Sequence, residues 1–562
     1  MSSQYAPNGA KHRSVRYLSM KMILGCGILL IILISAITGM TATAQQTSPE
    51  PEKSAVSKVL DPALEKINGV LGTVLMYNVS GDTFQKSVYD EDGEPVVDPD
   101  TGELKKETIA VPLIVVTLAV GAVFFSFWYR WITIRGFKHS IDIIRGHYDD
   151  EKDEGEISHF RALTSALSAT VGLGNIAGVA IAIQQGGPGA VFWMMTMAVF
   201  GMASKFSSCT LSQLYRQYNP DGTISGGPMY YLDLGFRAKG SFWAPIGKFL
   251  AVMYAFMVMG GSVGGGNMFQ ANQAFKAFSD TFNYPEKYDW AFGLVLTFLV
   301  GVVIIGGIRR IGAATSRIVP SMCGLYIVAS LVVIGVNYEK IPESLFLIFE
   351  MAFTQNALFG GMVGVIVTGV TRAAFSNEAG LGSAAIAHAA AKTDEPVREG
   401  LVAMIEPFID TIIVCLMTSL VVIVSGVWDK KELADGVIMT SAAFDTVLPW
   451  FRYILTICIF LFAYSTMISW CYYGERGWIY LLDHFGHGAG LRSVVVFRLV
   501  FVFFVFWGTV NELTTVLTFS DMMILSMAFP NIIGSILLAP TVLKIVQDYW
   551  RRFKSGEMIP DR

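Results

Sequence analysis

Uncharged apolar stretches, each long enough to cross a membrane, recur from Ile109 almost to the C-terminus of this 562-residue chain. A transmembrane helix needs about 20 mainly apolar residues. The pattern predicts eleven such helices, at 110–133, 160–184, 190–213, 244–272, 290–309, 317–337, 360–391, 399–425, 446–474, 491–509 and 519–545. The sequence therefore predicts an all-α integral membrane protein.

The composition agrees with this prediction and narrows the class of function. Hydrophobic residues make up 53% of the chain and charged residues 15%, whereas a soluble domain carries about 25% charged residues. The 41 Lys and Arg stand against 45 Asp and Glu, so no basic excess indicates a nucleic-acid partner. A multi-domain soluble enzyme, a disordered tail and a fibrous protein are excluded, and the lipid bilayer is the predicted environment.

The first 44 residues have the order of a secretory signal. Basic residues precede an apolar stretch from Met22 to about Ile37, and an A-x-A-like cleavage site ends at Ala44. We predict a signal peptide over 1–44. The alternative is an uncleaved anchor helix, since the apolar stretch is close to spanning length.

A polar segment over 45–109 follows, and both alternatives place it outside the cytoplasm. It contains 13 acidic residues against 6 Lys. The pattern predicts an amphipathic helix over 52–77 and a hairpin over 84–107. We expect a small extracytoplasmic cap.

The basic residues of the short loops predict the orientation. If the first helix runs inward, the inner loops and the C-terminal tail hold eighteen Lys and Arg against five in the outer loops. This positive-inside bias predicts a cytoplasmic C-terminus in the cell inner membrane. After the signal and the cap, the predicted domains are a first helix with a cytoplasmic linker (110–158), two five-helix units (159–338 and 339–545) and a cytoplasmic tail (546–562).

Each five-helix unit begins with a helix that is interrupted by glycines and polar residues. The two interruptions are Val171–Gly178 and Phe375–Gly382. Because five is odd, consecutive units lie in the membrane with opposite orientation, and paired broken helices indicate a transporter built from inverted repeats. The alternative is that the glycines only allow close helix packing. Packing does not account for the polar residues Asn175, Ser376, Asn377 and Glu378 at membrane depth.

A broken helix offers sites for both signs of charge. Its exposed N–H groups suit a carboxylate, and its freed carbonyls suit a cation. In the ninth predicted helix, Ser465 and Thr466 place two adjacent hydroxyl groups in an apolar span. They are either ligands of a hard cation or side chains bonded back to the preceding turn.

Several long motifs follow one another along the chain, namely Gly186–Met194 with Gly174–Val179 upstream, Gly226–Leu232, and Ser376–Ala384 continuing through Ile386–Thr393. Together they resemble the alanine or glycine:cation symporter family, the sodium:alanine symporters. The likeness covers about residues 109–545. It implies a fold similar to the five-plus-five inverted repeat of the amino-acid/sodium symporters, import of small neutral amino acids, and sodium coupling.

The resemblance also implies a substrate site at the two breaks. Val171–Asn175 looks like the corresponding stretch of the neurotransmitter:sodium symporters, which implies a substrate carboxylate near the amides of Leu173 and Gly174. The remaining residues of the predicted substrate site are Asn175, Gln270, Phe375, Ser376 and Asn377. Gln270 follows a run of three glycines and either faces the cavity or marks a helix end at the lipid headgroups.

The same resemblance implies where sodium binds. It places the ion near the carbonyls of Ser168 and Val171, together with residues of the ninth helix, Phe462, Ser465 and Thr466. Sodium is thus the predicted cotransported ion, and no organic cofactor is expected.

Four ionisable residues inside predicted spans are candidates for ion coupling. Glu406 and Asp410 are four residues apart and are predicted to share one helix face, and Arg372 is predicted to neutralise Glu378 or one of that pair. A structural ion-pair network and a proton relay both remain open.

The leading functional prediction is a secondary active transporter that imports alanine, glycine or serine with sodium by alternating access. The alternatives are a proton-coupled amino-acid symporter and, from another class, an amino-acid-permeable channel. An enzyme is not expected, since the chain has no H-E-x-x-H motif, and its G-x-S-x-G match at Gly260–Gly264 lies inside a predicted span and not at a strand-to-helix turn. The preferred amino acid and the oligomeric state remain open.

Overall fold

The computed structural model describes residues 66–87 except 67 and 70, 105–150, 152–219, 221–353, 361–430, 436–447, 449–486, 488–511 and 513–558. The predicted signal segment 1–44 lies outside these residues. So do the first part of the predicted amphipathic helix and the middle of the predicted hairpin.

The described chain is almost entirely helical. The α-helices are Leu113–Trp128, Ile132–Arg135, Phe137–Ile144, His159–Thr170, Ala177–Gly186, Gly189–Leu214, Pro228–Lys239, Trp243–Val263, Phe269–Phe282, Asp289–Ile304, Gly307–Val336, Ile341–Phe353, Gly361–Asn377, Ala384–His388, Pro396–Ala403, Leu416–Val424, Gly436–Asp445, Phe451–Leu482, Ala489–Thr509, Leu513–Ser526 and Ala528–Ser555. Short 3₁₀ turns occur at Leu173–Asn175, Glu286–Tyr288 and Tyr338–Lys340, and π-helical turns at Gly264–Met268 and Phe408–Cys415.

Within the described residues, eight helices are long and apolar enough to cross a membrane. A ninth span results when the bent pair His159–Thr170 and Leu173–Gly186 is counted as one. The predicted first and seventh spans correspond to shorter helices, Leu113–Trp128 with 16 residues and Gly361–Asn377 with 17. The all-α membrane class is confirmed, and the count of eleven stays a prediction.

Burial separates the central helices from the peripheral ones. The most apolar part of Phe451–Leu482 is 72% buried, whereas that of Glu286–Ile304 is 22% buried. Large apolar side chains such as Phe249 and Phe298 are exposed. Such a surface is suited to lipid, because a soluble monomer rarely exposes large apolar patches. The central helix therefore provides a protein-enclosed wall on which a polar site can form.

Two small antiparallel hairpins are the only sheets among the described residues. Gln85–Ser87 pairs with Lys106–Thr108, with Gln85 opposite Thr108. This pairing confirms the two strands of the hairpin predicted over 84–107. The second hairpin pairs Gln217–Tyr218 with Ile224–Ser225.

Candidate functional site at two helix breaks

The first interrupted helix bends by 59° between His159–Thr170 and Leu173–Gly186. The intervening residues are fully buried. Gly172 has an extended backbone, and its N–H donates a hydrogen bond of 2.9 Å to Oδ1 of Asn175. Asn175 therefore stabilises the non-helical turn from within. We call residues 171–176 the first break.

The second interrupted helix ends at Asn377. Glu378, Gly380 and Gly382 all have φ between 55° and 93°, in the left-handed region that glycine tolerates best. The chain therefore leaves the helix axis before the short helix Ala384–His388 begins. We call residues 376–383, which include the last two residues of that helix, the second break.

The two breaks lie next to each other. A Cβ placed on Gly174 would lie 3.4 Å from Cα of Ser376 and 3.5 Å from Cδ1 of Phe375. Gln270 joins them from a third element, because its Oε1 accepts a hydrogen bond of 3.2 Å from the Leu173 N–H. Gln270 is buried against the first break, and its role in a substrate cavity stays a prediction. Of the two amides at the first break that were expected to meet a carboxylate, that of Leu173 is already bonded.

Gln270 is held in place by a packed glycine turn. Its Nε2 donates to the Gly265 carbonyl at 3.0 Å, within the π-helical turn Gly264–Met268. A Cβ on Gly266 would lie 2.2 Å from Cγ of Trp470, so only glycine fits there. Asn267, three residues before Gln270, points elsewhere and donates to the Phe501 carbonyl at 2.7 Å.

Asp410 connects both breaks through hydrogen bonds. Its Oδ1 accepts from Nδ2 of Asn175 at 2.7 Å, and its Oδ2 accepts from Oγ of Ser376 at 2.8 Å and from Oγ1 of Thr411 at 2.8 Å. Thr411 in turn accepts a bond of 2.9 Å from Nδ2 of Asn377. Asp410 is fully buried, and no cationic side chain of the described chain lies within 4 Å of it. Three donors therefore solvate this carboxylate in place of a counter-ion.

A cluster of hydroxyl and carbonyl oxygens lies on the other side of the first break. Thr466 Oγ1 donates to the Ser168 carbonyl at 3.0 Å, and Ser168 Oγ donates to the Ser465 carbonyl at 2.7 Å. Ser465 Oγ donates to the Phe462 carbonyl at 3.0 Å. We call these four residues the hydroxyl cluster. Uncharged oxygens of this kind are ligands of hard cations.

The hydroxyl cluster contacts the first break directly. A Cβ on Gly172 would lie 2.6 Å from Oγ1 of Thr466. Val171, the fifth residue predicted at the sodium site, is also buried and donates its N–H to the Leu167 carbonyl at 2.7 Å. The structure thus brings together Ser168, Phe462, Ser465 and Thr466 beside the backbone of the break.

Five buried ionisable side chains form a continuous chain behind the second break. The Lys205 ammonium pairs with the Glu406 carboxylate, and both side chains are almost fully buried. Nε2 of His388 contacts Glu406, and its Nδ1 contacts Glu399. The other oxygen of Glu399 contacts Nδ1 of His159. We call these five residues the buried charge chain.

Comparison with known proteins identifies the family of this chain. The family model described as "Sodium:alanine symporter family" matches residues 101–561. The chain belongs to this family. It is a multi-pass membrane protein, and the family and its relatives indicate a symporter rather than an enzyme.

Relatives of this symporter cover most of its length. It is 43% identical to an uncharacterised transporter of Haemophilus influenzae over 413 residues, which cover 72% of this chain and 86% of the relative. It is 41% identical to the sodium/alanine symporter AgcS of Methanococcus maripaludis over 435 residues, 77% of this chain and 93% of the relative. The solved structure of MhsT in complex with L-phenylalanine matches 68% of this chain and 98% of its own, with 12% identity and a TM-score of 0.45.

Two predicted charge contacts of the symporter differ from those in the structure. Arg372 lies 3.8 Å from Asp521, not beside Glu378, whose carboxylate accepts a hydrogen bond from the Ser383 hydroxyl. Arg372 and Glu378 are six residues apart, and the left-handed conformation of Glu378 (φ 55°) turns the chain out of the helix between them. The two side chains therefore do not share a helix face.

Glu406 and Asp410 also face different partners. The α-helix Pro396–Ala403 ends before Glu406, and Asp410 lies in the π-helical turn Phe408–Cys415. Residues four apart share a face in a continuous α-helix, but not where the α-helix gives way to a π-helical turn. Glu406 joins the buried charge chain, and Asp410 joins the two breaks.

Sequence reasoning missed four members of the buried charge chain, namely Lys205, His388, Glu399 and His159. A usable signal existed for Lys205, which lies inside the predicted span 190–213. An ionisable residue in a span is a functional candidate by default. The pairing itself had no sequence signal, because Lys205 and Glu406 are 201 residues apart.

Proposed function

We propose that this symporter imports a small neutral amino acid, such as alanine or glycine, together with sodium. The observation that carries the proposal is that the first break contacts two different elements, the end of the second interrupted helix and the hydroxyl cluster. Gly174 faces Ser376 and Phe375 of the second interrupted helix, and Gly172 faces Thr466 of the hydroxyl cluster. An amino acid and a cation bound on these two sides would share one segment of unwound backbone.

We place the substrate carboxylate at the Gly174 amide. Among the residues that the structure describes, no group accepts a hydrogen bond from this N–H. Gln270, Asn175, Ser376 and Asn377 provide the surrounding polar groups, and Phe375 closes the site on the side of the amino-acid side chain. The short distance from Gly174 to the Phe375 ring favours a substrate with a small side chain.

Asp410 acts in this proposal as a positioning residue for both breaks. Its three hydrogen bonds hold Asn175 and Ser376 at fixed separation, as described above. Hydrogen bonds to a charged group contribute about 1.5 to 3 kcal/mol each. Loss of the carboxylate would therefore loosen the substrate site on both sides at once.

We place sodium at the hydroxyl cluster. The hydroxyl oxygens of Ser465 and Thr466 would turn towards the ion and give up the hydrogen bonds that they now donate. The carbonyl oxygens of Ser168, Val171 and Phe462 would complete its coordination. Its charge would offset that of the substrate carboxylate across the first break. This arrangement supports cotransport, because each ligand stabilises the backbone conformation that the other needs.

Alternating access would then move two inverted five-helix units, 159–338 and 339–545, about the breaks. The excess of basic residues in the predicted inner loops supports a cytoplasmic C-terminus and an extracytoplasmic 45–109 segment in the inner membrane. Uptake of labelled alanine into proteoliposomes tests the proposal. Saturable accumulation driven by an inward sodium gradient is expected, and equilibration without accumulation would indicate a channel instead.

The buried charge chain favours one second candidate, coupling to protons. An ionised carboxylate only accepts hydrogen bonds, so both ring nitrogens of His388 donate when Glu399 and Glu406 are ionised. The chain therefore holds a proton on an imidazolium. Its outer end, Nε2 of His159, lies 3.9 Å from Asp149, whose side chain is half exposed.

Uptake in sodium-free buffer separates the two candidates. A pH gradient that drives alanine accumulation in the wild type, but not in Glu406→Gln or His388→Gln, would support proton coupling. Sodium coupling predicts no accumulation under these conditions. The variants would then lose stability while keeping the sodium dependence of any uptake that remains.

A further inference from the structure

A cavity of about 250 Å³ lies away from the two breaks, between the segment that follows the first helix and the last helix. The first segment contributes Tyr129, Arg130 and Arg135, and the last helix contributes residues from Leu543 to Lys554. Its lining contains four basic side chains and no acidic one: Arg130, Arg135, Arg551 and Lys554. We call it the basic cavity.

The positive charge of the basic cavity is only partly compensated. Arg551 forms an ion pair of 2.6 Å with Asp548. Among the described residues, no carboxylate lies within 4 Å of the charged nitrogens of Arg130, Arg135 or Lys554. Three cations that converge on one cavity without acids attract an anion.

Phosphate matches the chemistry of the basic cavity. It carries negative charge, and its oxygens accept hydrogen bonds from several guanidinium and ammonium groups at once.

The basic cavity is held in place by a strained turn. Arg130 and Trp131 have φ of 52° and 56°, which is uncommon for residues other than glycine. Tyr129 is buried and forms a hydrogen bond of 2.9 Å with Ser207, and Ile132 is fully buried. These contacts fix the turn on both sides and hold Arg130 against the last helix. The backbone that carries Arg130 is therefore fixed at the edge of the cavity.

The surroundings of the cavity are apolar and exposed. Phe127 is 60% exposed and Ile134 is 71% exposed, on either side of the turn. Both are suited to contact with lipid chains, as are the aromatic residues that accumulate at membrane interfaces. The cavity thus lies where the protein surface changes from apolar to cationic.

We propose that the basic cavity binds the phosphate headgroup of an anionic phospholipid, with the acyl chains along Phe127 and Ile134. A pocket for a whole drug-sized ligand has about 300 to 1,000 Å³, so this volume suits a headgroup and leaves the chains outside. Basic pockets between transmembrane helices on the cytoplasmic side are suited to phosphate headgroups. Occupancy would tie the first helix to the last.

Native mass spectrometry of the full-length protein in detergent tests this site. The protein is titrated with phosphatidylglycerol, with phosphatidylcholine and with inorganic phosphate. The test variant is Arg135→Gln with Lys554→Gln, which removes one cation from each wall. Each basic residue near a lipid surface contributes about 1 kcal/mol, so the double variant is expected to bind the first phosphatidylglycerol about thirtyfold more weakly.

The matched control is Lys138→Gln with Lys544→Gln. These residues are exposed and lie on the same two segments, but outside the cavity lining. The control is expected to bind phosphatidylglycerol like the wild type, and melting curves and alanine uptake verify that both double variants are folded. Equal weakening in test and control would overturn the proposal. Equal affinity of the wild type for phosphatidylcholine and phosphatidylglycerol would also overturn it. So would competition by inorganic phosphate that displaces phosphatidylglycerol equally well from the wild type and from the test variant.

Discussion

The side-chain amide of Asn175 donates a hydrogen bond of 2.7 Å to the Asp410 carboxylate, and this bond joins the first break to a helix 235 residues further along the chain. Because the same carboxylate also accepts from Ser376, one buried charge holds both interrupted helices. The geometry of the substrate site therefore depends on a residue that we do not place in contact with the substrate carboxylate.

Asp410→Asn is expected to weaken alanine binding about tenfold or more. Asn175 and Ser376 donate to different oxygens of Asp410, and the variant is uncharged and presents an NH₂ donor at one of those two positions. A hydrogen bond to a charged group contributes about 1.5 to 3 kcal/mol. Alanine titration in detergent measures the effect. The control is Asp445→Asn, which removes an acid paired with Arg452 outside the breaks; equal affinity loss in both variants would contradict the positioning role.

Thr466→Ala is expected to raise the sodium concentration for half-maximal uptake about tenfold. The variant removes one oxygen from the hydroxyl cluster, and a dehydrated ion cannot replace it with water inside the protein. Thr456→Ala is the matched control, since Thr456 lies on the same helix and bonds to Thr281 at 2.6 Å instead. A well-expressed Thr466→Ala protein with unchanged sodium dependence would remove Thr466 from the ion site.

Gly174→Ala is expected to impair alanine binding more than glycine binding, and both more than folding. The added Cβ would be in ordinary contact with Ser376 and Phe375, so the fold tolerates it, but it occupies space beside the amide that we assign to the carboxylate. Gly178→Ala is the control, because no atom lies within 4 Å of a Cβ there. Normal alanine affinity in Gly174→Ala, with a normal melting curve, would place the carboxylate elsewhere.

Lys205→Met is expected to destabilise the protein strongly, by about 3 to 5 kcal/mol, because it removes the ammonium group that pairs with the buried Glu406 carboxylate. Adding Glu406→Gln removes that charge and is expected to restore part of the melting temperature lost. The thermal midpoints of the wild type, both single variants and the double variant form a mutant cycle. Additive losses would show that the two side chains do not act as a pair.

The sequence predicted the parts of the site that rest on local composition. Glycines near Asn175 and Ser376 predict helix breaks, because close helix packing explains the glycines but not the polar residues beside them. The structure interrupts a helix at both places. Ser465 and Thr466 were recognisable as adjacent hydroxyls in an apolar helix. What remained hidden were partners that are distant in sequence, such as Asp521 for Arg372 and Lys205 for Glu406.

Helix ends were also beyond the sequence pattern. The predicted ninth span ends at residue 474, yet the helix Phe451–Leu482 continues past Arg476. Its guanidinium is buried, lies 3.8 Å from Glu475 and donates to Ser225 at 3.2 Å. A charge normally ends an apolar span, but tertiary partners can satisfy it inside a helix, and those partners are set by the fold alone.

The central claim is that sodium and the amino acid bind on two sides of the first break and stabilise each other. Linkage requires that sodium raise the affinity for alanine by the same factor by which alanine raises the affinity for sodium. Calorimetric titration of each ligand, with and without the other, measures both factors on one purified protein. We predict equal factors of about fivefold or more in the wild type, reduced towards one in Thr466→Ala and unchanged in Thr456→Ala. Alanine affinity that is independent of sodium in the wild type would contradict the account.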